Sequence, residues 1–148
     1  MRLVIIGSSA DDYDAKMKEY LVGKIHNIEF LGQMSFDQIK PYLEKCLCTI
    51  CSSEWYENFP NSALESFAFY KSIIASDIGS LRELVTNEET GLLFEVGNAN
   101  SLRDALIKMY NNPDLARAWG LNGYNKLVDK FSSQLHYHKL LNVFRELL

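Results

Sequence analysis

The feature that most limits what this chain can fold into is an alternation. Apolar runs of four or five residues recur, each followed by a longer amphipathic stretch. Leu3–Ile6 is a continuous apolar run ending at Gly7, as a strand buried on both faces requires. Residues 28–31, closed by Gly32, and then residues 47–51, Ser72–Ser76 and Gly91–Phe94 repeat the plan. Between them, residues 12–24 read as a helix. Ser35 with Gln38 three positions on has capping-box spacing and starts a second helix that runs to about Lys45. Residues 61–70 read as a third. Asn100 and Ser101 cap a helix to about Tyr110, Pro113 opens another, and Ser132 and Ser133 begin the last. That last helix carries Leu140, Leu141, Phe144 and Leu148 on one face. Alternating strands and helices with short connections predict an α/β fold, a Rossmann-like parallel sheet with helices on both faces. At 148 residues the chain is the size of one domain, 1–148, with helices from about residue 100 onward packing around the sheet.

Composition narrows the function. With 15 basic and 19 acidic residues the net charge is −4, which argues against nucleic acid as the partner. No apolar run approaches the ~18 residues of a transmembrane helix. The N-terminal run is too short for a signal peptide. Three cysteines, an odd count, suit reduced thiols in a cytoplasmic setting.

In open parallel sheets ligands sit beyond the carboxyl ends of the strands. The richest loop there spans residues 52–60 and leads into the third helix. Glu57 falls in the loop and Glu65 about one turn into the helix, eight positions apart. Asn61, Ser62 and Glu65 share one helical face, with Leu64, Phe67 and Ala68 expected to point towards the sheet. Free amides at Asn61, Ser62 and Ala63, at the positive end of the helix dipole, form a natural phosphate site. A carboxylate beyond it can accept from two vicinal hydroxyls, which suits a ribose diphosphate with a second sugar. Acidic residues in a first helical turn also complement the dipole with no ligand at all. On spacing alone that plainer reading has the stronger claim.

Several motifs in order change the balance. From Leu3 to the C-terminus the chain resembles the C-terminal domain of the family-4 glycosyltransferases of GT-B fold. The family's Glu-x7-Glu motif, Glu-Gly-Phe-Gly or Glu-Gly-Phe-Pro followed by a Leu-Glu-Ala-Met-Ala helix, stands here as Glu57-Asn58-Phe59-Pro60 and then Leu64-Glu65-Ser66-Phe67-Ala68. Ser72-Ile73-Ile74-Ala75-Ser76 matches Pro-Val-Val-Ala-Ser, and Asp77-Ile78-Gly79-Ser80-Leu81-Arg82-Glu83 matches Asp-Val-Gly-Gly-Ile-Pro-Glu. Thr90 to Phe94 and Lys130-Phe131-Ser132 also fit.

The resemblance implies a donor domain that binds a nucleotide-diphosphate sugar, such as a UDP- or GDP-hexose, for retaining, metal-independent transfer, with no cofactor. It implies that Glu65 binds the donor ribose. Glu57 contacts the hexose and its developing positive charge, within a loop completed by Asn58, Phe59 and Pro60. Amides near Asn61 and Ser62 hold the distal phosphate. The backbone at Gln33 and Met34 reads the base, and Gly7 and Ser8 line the same crevice. It implies polysaccharide or glycolipid assembly in the cytoplasm, at the inner membrane face through a missing half. Two other readings share this architecture: a non-catalytic nucleotide-sugar-binding subunit, and a GT-B epimerase or phosphorylase.

The chain departs from the family in five respects. Family members carry an earlier strand and helix, with an Arg and a Lys that clamp the diphosphate, and an N-terminal acceptor-binding domain. None of these is present, so a partner chain or preceding segment is expected. The sheet is expected to show a gap, to pair residues 3–6 directly with 47–51, or to recruit another chain. Asn58 and Ser80 replace glycines, and Tyr70-Lys71-Ser72 replaces a Gly-x-Pro turn.

Other groupings read as structural. Cys46, Cys48 and Cys51 imitate metal-binding spacing, but on a strand Cys48 and Cys51 face opposite ways, so buried small hydrophobes are the better reading. His136 and His138 diverge on a helix, and His26 reads as surface. Gly7-Ser8-Ser9-Ala10 lacks the dinucleotide fingerprint. Trp55 and Tyr56, beside Glu57, either contact sugar or a partner domain, or pack beneath the loop.

Overall fold

The computed structural model describes residues 1–8, 13–21 and 26–147, Asp14 by its backbone alone. The chain divides into two compact units, Met1–Lys45 and Cys46–Leu148. The first contains β1 (Leu3–Ile6), α1 (Tyr13–Leu21), β2 (Ile28–Gly32) and α2 (Phe36–Lys45). The second contains β3 (Cys48–Cys51), α3 (Asn61–Ala68), β4 (Ser72–Ser76), α4 (Gly79–Leu84), β5 (Gly91–Phe94), α5 (Ala99–Asn111), α6 (Pro113–Phe131) and α7 (Ser133–Glu146). Asp12 and Lys24, the expected ends of the first helix, lie outside the described residues, as do Ser9, Ala10 and Leu148.

The predicted parallel strands form as two sheets. In the first unit β1 pairs with β2, Leu3 opposite Ile28, with an irregular step between Ile5 and Ile6. Only the Gln38 half of the expected capping box forms: the Ser35 amide donates to Gln38 Oε1 at 2.9 Å, while the Gln38 amide donates to the Ser35 main-chain carbonyl at 3.0 Å and the Ser35 hydroxyl turns to Gln38 Oε1 at 3.1 Å. In the second unit the order is β3-β4-β5, all parallel. Of the outcomes expected for the sheet, direct pairing of residues 3–6 with 47–51 does not occur. β1 pairs only with β2, and β3 only with β4, among the described strands.

β4 is buried along its whole length and splits the second unit's core by its pleat. Ile73 and Ala75 face Ala63 and Phe67 of α3 and Leu81 and Leu84 of α4. Ile74 faces Leu92 and Phe94 of β5, Met109 of α5, and Ala116 and Trp119 of α6. Both faces are thus covered, as a parallel sheet requires. Cys48 packs in the second cluster and Cys51 in the first, on opposite faces as their spacing predicts. Among the described residues no group of three or more His, Cys, Asp or Glu side chains is placed to hold a metal ion. No described helix is long and apolar enough to cross a membrane.

Four expectations are corrected. α3 stops at Ala68 because Tyr70 adopts a left-handed φ of 57°. The Lys71 amide then reaches the Ser66 carbonyl and the Tyr70 amide the Phe67 carbonyl, the paired bonds of a Schellman ending. The residues α3 turns inward are Ala63, Ser66 and Phe67, with Leu64 half-buried and Ala68 exposed. α5 is capped by Asn98, two residues before the expected cap; its side chain accepts from the amides of Asn100 and Ser101. α7 begins with Ser132 accepting from the Leu135 amide, yet it buries no residue, and Leu140 and Phe144 remain exposed.

A close approach of α6 sets the packing behind α3. A Cβ at Gly120 would lie 2.1 Å from the Tyr70 carbonyl oxygen, and one at Gly123 would lie 2.3 Å from the Phe67 ring. Only glycine lets the helix pass at that distance.

Candidate functional site

The loop after β3 and the start of α3 carry most of the residues singled out from the sequence, all within the second unit. α3 opens at Pro60, which supplies no side-chain cap. The Ala63 amide is used in the first turn, donating to the Pro60 carbonyl at 3.1 Å. That corrects the expectation of three free amides, and leaves those of Asn61 and Ser62 at the helix start, both on exposed residues. An uncapped N-terminus of this kind attracts anions through its amides and dipole. Glu65, one turn in, is half-buried, and Glu57 in the loop is exposed.

Hydroxyl groups organise the neighbourhood. The Ser53 hydroxyl lies 3.0 Å from Glu57 Oε1 and accepts from the Trp55 amide at 3.3 Å. The Ser80 hydroxyl donates to the Glu57 main-chain carbonyl at 2.8 Å. Beneath them, the Ser66 hydroxyl donates to the Ser62 carbonyl at 2.6 Å and accepts from Thr49 Oγ1 at 2.8 Å, tying α3 to β3. Cys51, the last residue of β3, touches the same group. Burial pushes its thiol up, a hydrogen bond to the Ser53 main chain pulls it back, and the Glu57 charge and Ser62 side chain add smaller opposing effects.

The loop side chains differ in what they face. Phe59 packs on Phe131 of α6, ring centroids 5.2 Å apart, and anchors the loop. Trp55 and Tyr56 are each 82% exposed, so neither is buried beneath the loop. Asn58 is not among the described residues with positive φ, so the glycine it replaces is not needed for backbone conformation. Beyond β4, Arg82 holds Asp77 through Nε to Oδ1 at 2.6 Å and through its terminal nitrogen to the Asp77 carbonyl at 3.0 Å. The pairing with Asp77 raises the Arg82 pKa.

Gly7, Ser8, Gln33 and Met34 lie in the first unit, at the carboxyl ends of β1 and β2. The Gly7 amide donates to the Gly32 carbonyl at 2.8 Å, and Ser8 Oγ lies 3.4 Å from Gln33 Oε1. Met34 is half-buried. A separate shallow depression of about 220 Å³, lined by Asn87, Leu93, Ser101 and Lys108 among others, includes neither Glu57 nor Glu65.

Ser53, Ser80 and Cys51 were not singled out for the site by spacing. Ser80 had a signal, a hydroxyl where the resembled pattern has glycine.

Comparison with known proteins gives a consistent result. The family model described as "Glycosyl transferases group 1" matches residues 1–126. An uncharacterized glycosyltransferase of Methanocaldococcus jannaschii, MJ1178, is 32% identical over 133 residues, 89% of this chain and 37% of that protein. Sucrose-phosphate synthase from Thermosynechococcus elongatus superimposes with a TM-score of 0.83 at 27% identity, over 99% of this chain and 38% of the other. A TarM variant of Staphylococcus aureus, solved in complex with UDP among other ligands, superimposes with a TM-score of 0.82 at 25% identity, over 97% and 29%. The chain therefore spans well under half the length of these proteins.

Proposed function

That the chain belongs to the group 1 glycosyl transferases, with the Rossmann-like half of a GT-B fold, is the premise from which we propose that it binds the nucleotide-diphosphate-sugar donor of a retaining hexosyl transfer. The observation that carries the reading is the start of α3. Two amides at an uncapped helix terminus stand between a carboxylate in the preceding loop and another one turn into the helix. The helix end suits the distal phosphate. Glu65 suits the vicinal hydroxyls of a ribose, and Glu57 the hexose. In transfer, the bond from the anomeric carbon to the diphosphate breaks with its electron pair leaving on the diphosphate, while an acceptor hydroxyl oxygen forms the new bond to that carbon and its proton passes to the departing diphosphate. Amides and the helix dipole stabilise that charge, with no metal ion taking part in this reading. The Glu57 carboxylate faces the positive charge left on the sugar. The acceptor is assigned to the part of the relatives' length that this chain does not span. A relative of this fold solved with UDP supports the choice of ligand class.

The test is calorimetric titration of the chain with UDP, GDP, UDP-glucose and GDP-mannose, repeated with Glu65→Ala. One nucleotide is expected to bind, and the substitution to weaken it by about 10-fold or more, the scale of a charged hydrogen bond. An unchanged dissociation constant in Glu65→Ala would remove Glu65 from the site.

A further inference from the structure

Glu57 sits in a nine-residue loop, 52–60, without regular secondary structure and exposed except at Ser53 and Pro60, which are half-buried. A carboxylate on a free loop pays conformational entropy each time it meets a ligand. This loop is not free. Its main chain is fastened at Glu57 itself by the Ser80 hydroxyl, at 2.8 Å. Gly79, beside Ser80, meets the same stretch of loop: a Cβ there would lie 3.1 Å from Tyr56 Cδ1, 3.8 Å from Tyr56 Cα and 3.9 Å from the Glu57 carbonyl oxygen. The turn that presents Gly79 and Ser80 is braced in its turn by Arg82 on Asp77. Ser53 adds a contact to the Glu57 carboxylate.

We propose that Ser80 is a positioning residue: its hydroxyl latches the Glu57 main chain to the start of α4, so that the carboxylate is held for the sugar before a ligand arrives. Ser53 completes the arrangement from the side-chain end. The proposal rests on the donor-site reading above for the identity of the ligand. A hydroxyl at position 80 restrains the loop in a way that glycine or alanine there does not. Its effect falls on the hexose, which Glu57 meets, and not on the nucleotide, which Glu65 and the helix end meet.

The experiment compares wild type, Ser80→Ala and Ser80→Thr by titration with UDP, GDP, UDP-glucose and GDP-mannose, and by hydrogen exchange of the backbone amides of residues 54–58. Ser80→Ala is expected to weaken the sugar nucleotide by about 3- to 10-fold, one lost hydrogen bond, while leaving the bare nucleotide unchanged and speeding exchange in the loop. Ser80→Thr, which keeps the hydroxyl, is expected to restore both. Equal weakening of the nucleotide and its sugar, or no weakening of either, would overturn the proposal. If wild type binds none of the four ligands, the donor reading fails separately, and exchange then decides the latch. Unaltered exchange in Ser80→Ala would overturn it, and faster exchange reversed by threonine would support it.

Discussion

Tyr70 holds a left-handed backbone conformation that glycine adopts without strain. Its ring stacks on Tyr124 of α6 at 4.1 Å and 24°, a contact that glycine would forfeit, so the turn keeps its Schellman geometry on a different residue. Cys48 illustrates how burial alone changes a side chain's chemistry. Its thiol is pushed up to about 12, first by burial and then by the neighbouring Cys46. The folded thiol therefore keeps its proton while the unfolded one, near the ordinary 9.0, gives it up. This contribution to stability is complete below pH 9.0 and is lost as pH rises towards about 12. Urea unfolding between pH 8 and 11 is expected to show stability falling with pH, with Cys48 contributing up to about 1.4 kcal/mol per unit. In Cys48→Ala the slope should be shallower; an equal slope would mean that Cys48 is not shielded.

At the scale of elements, the helices are ended by side chains drawn from elsewhere in the chain as well as by local caps. Asn98 and Ser132 cap α5 and α7 from the adjacent residue. The carboxyl end of α4 is closed by Lys126 of α6. Its ammonium donates to the carbonyls of Glu83 at 2.7 Å and Leu84 at 2.8 Å, and to Thr86 Oγ1 at 3.0 Å. Burial lowers its pKa, with Lys130 nearby adding to the effect. A cation on the last carbonyls of a helix complements its dipole. Lys126→Met keeps the stem and removes the donors, and is expected to cost about 1–2 kcal/mol in thermal or urea unfolding. Because α4 presents Ser80 to Glu57, the same variant should also weaken binding of a sugar nucleotide. A variant as stable as wild type would show that water replaces the ammonium at no cost.

At the scale of the whole molecule, the two units differ in what holds each together. Among the described residues of 1–45 none is fully buried, and β1 and β2 are half-exposed along their length. In 46–148, β4 is buried at all five positions and clusters form on both of its faces. Local opening follows such differences in burial. Hydrogen exchange is expected to protect residues 73–75 well beyond residues 3–6 and 28–31, and limited proteolysis to cut within 1–45 first. Uniform protection across the two sheets would contradict this. The roles that the resemblance implies for Gly7, Ser8, Gln33 and Met34 thus fall on the less buried unit.

The sequence by itself determined the element order and the parallel pairing, because short apolar runs alternating with longer amphipathic stretches fit parallel strands joined by helices, although the burial on both faces expected of Leu3–Ile6 is met along β4 and not along β1, where Ile5 is exposed. It also determined the placement of Glu57 and Glu65 around a helix start, since that depends only on short-range spacing. Opposite faces for Cys48 and Cys51 followed from the period of a strand. Only the tertiary structure decided the rest. Ser80 reaches Glu57, and Lys126 reaches α4, across 23 and 42–43 positions of chain, distances over which no local pattern signals a contact. The face that α3 buries depends on what packs against it, so Ala63 and Ser66 turn inward where Ala68 was expected to. α7 has an apolar stripe in its sequence yet buries no residue, because burial requires a neighbouring surface as well as a pattern. The division of the strands into two sheets is likewise a matter of which edges meet, which periodicity does not encode.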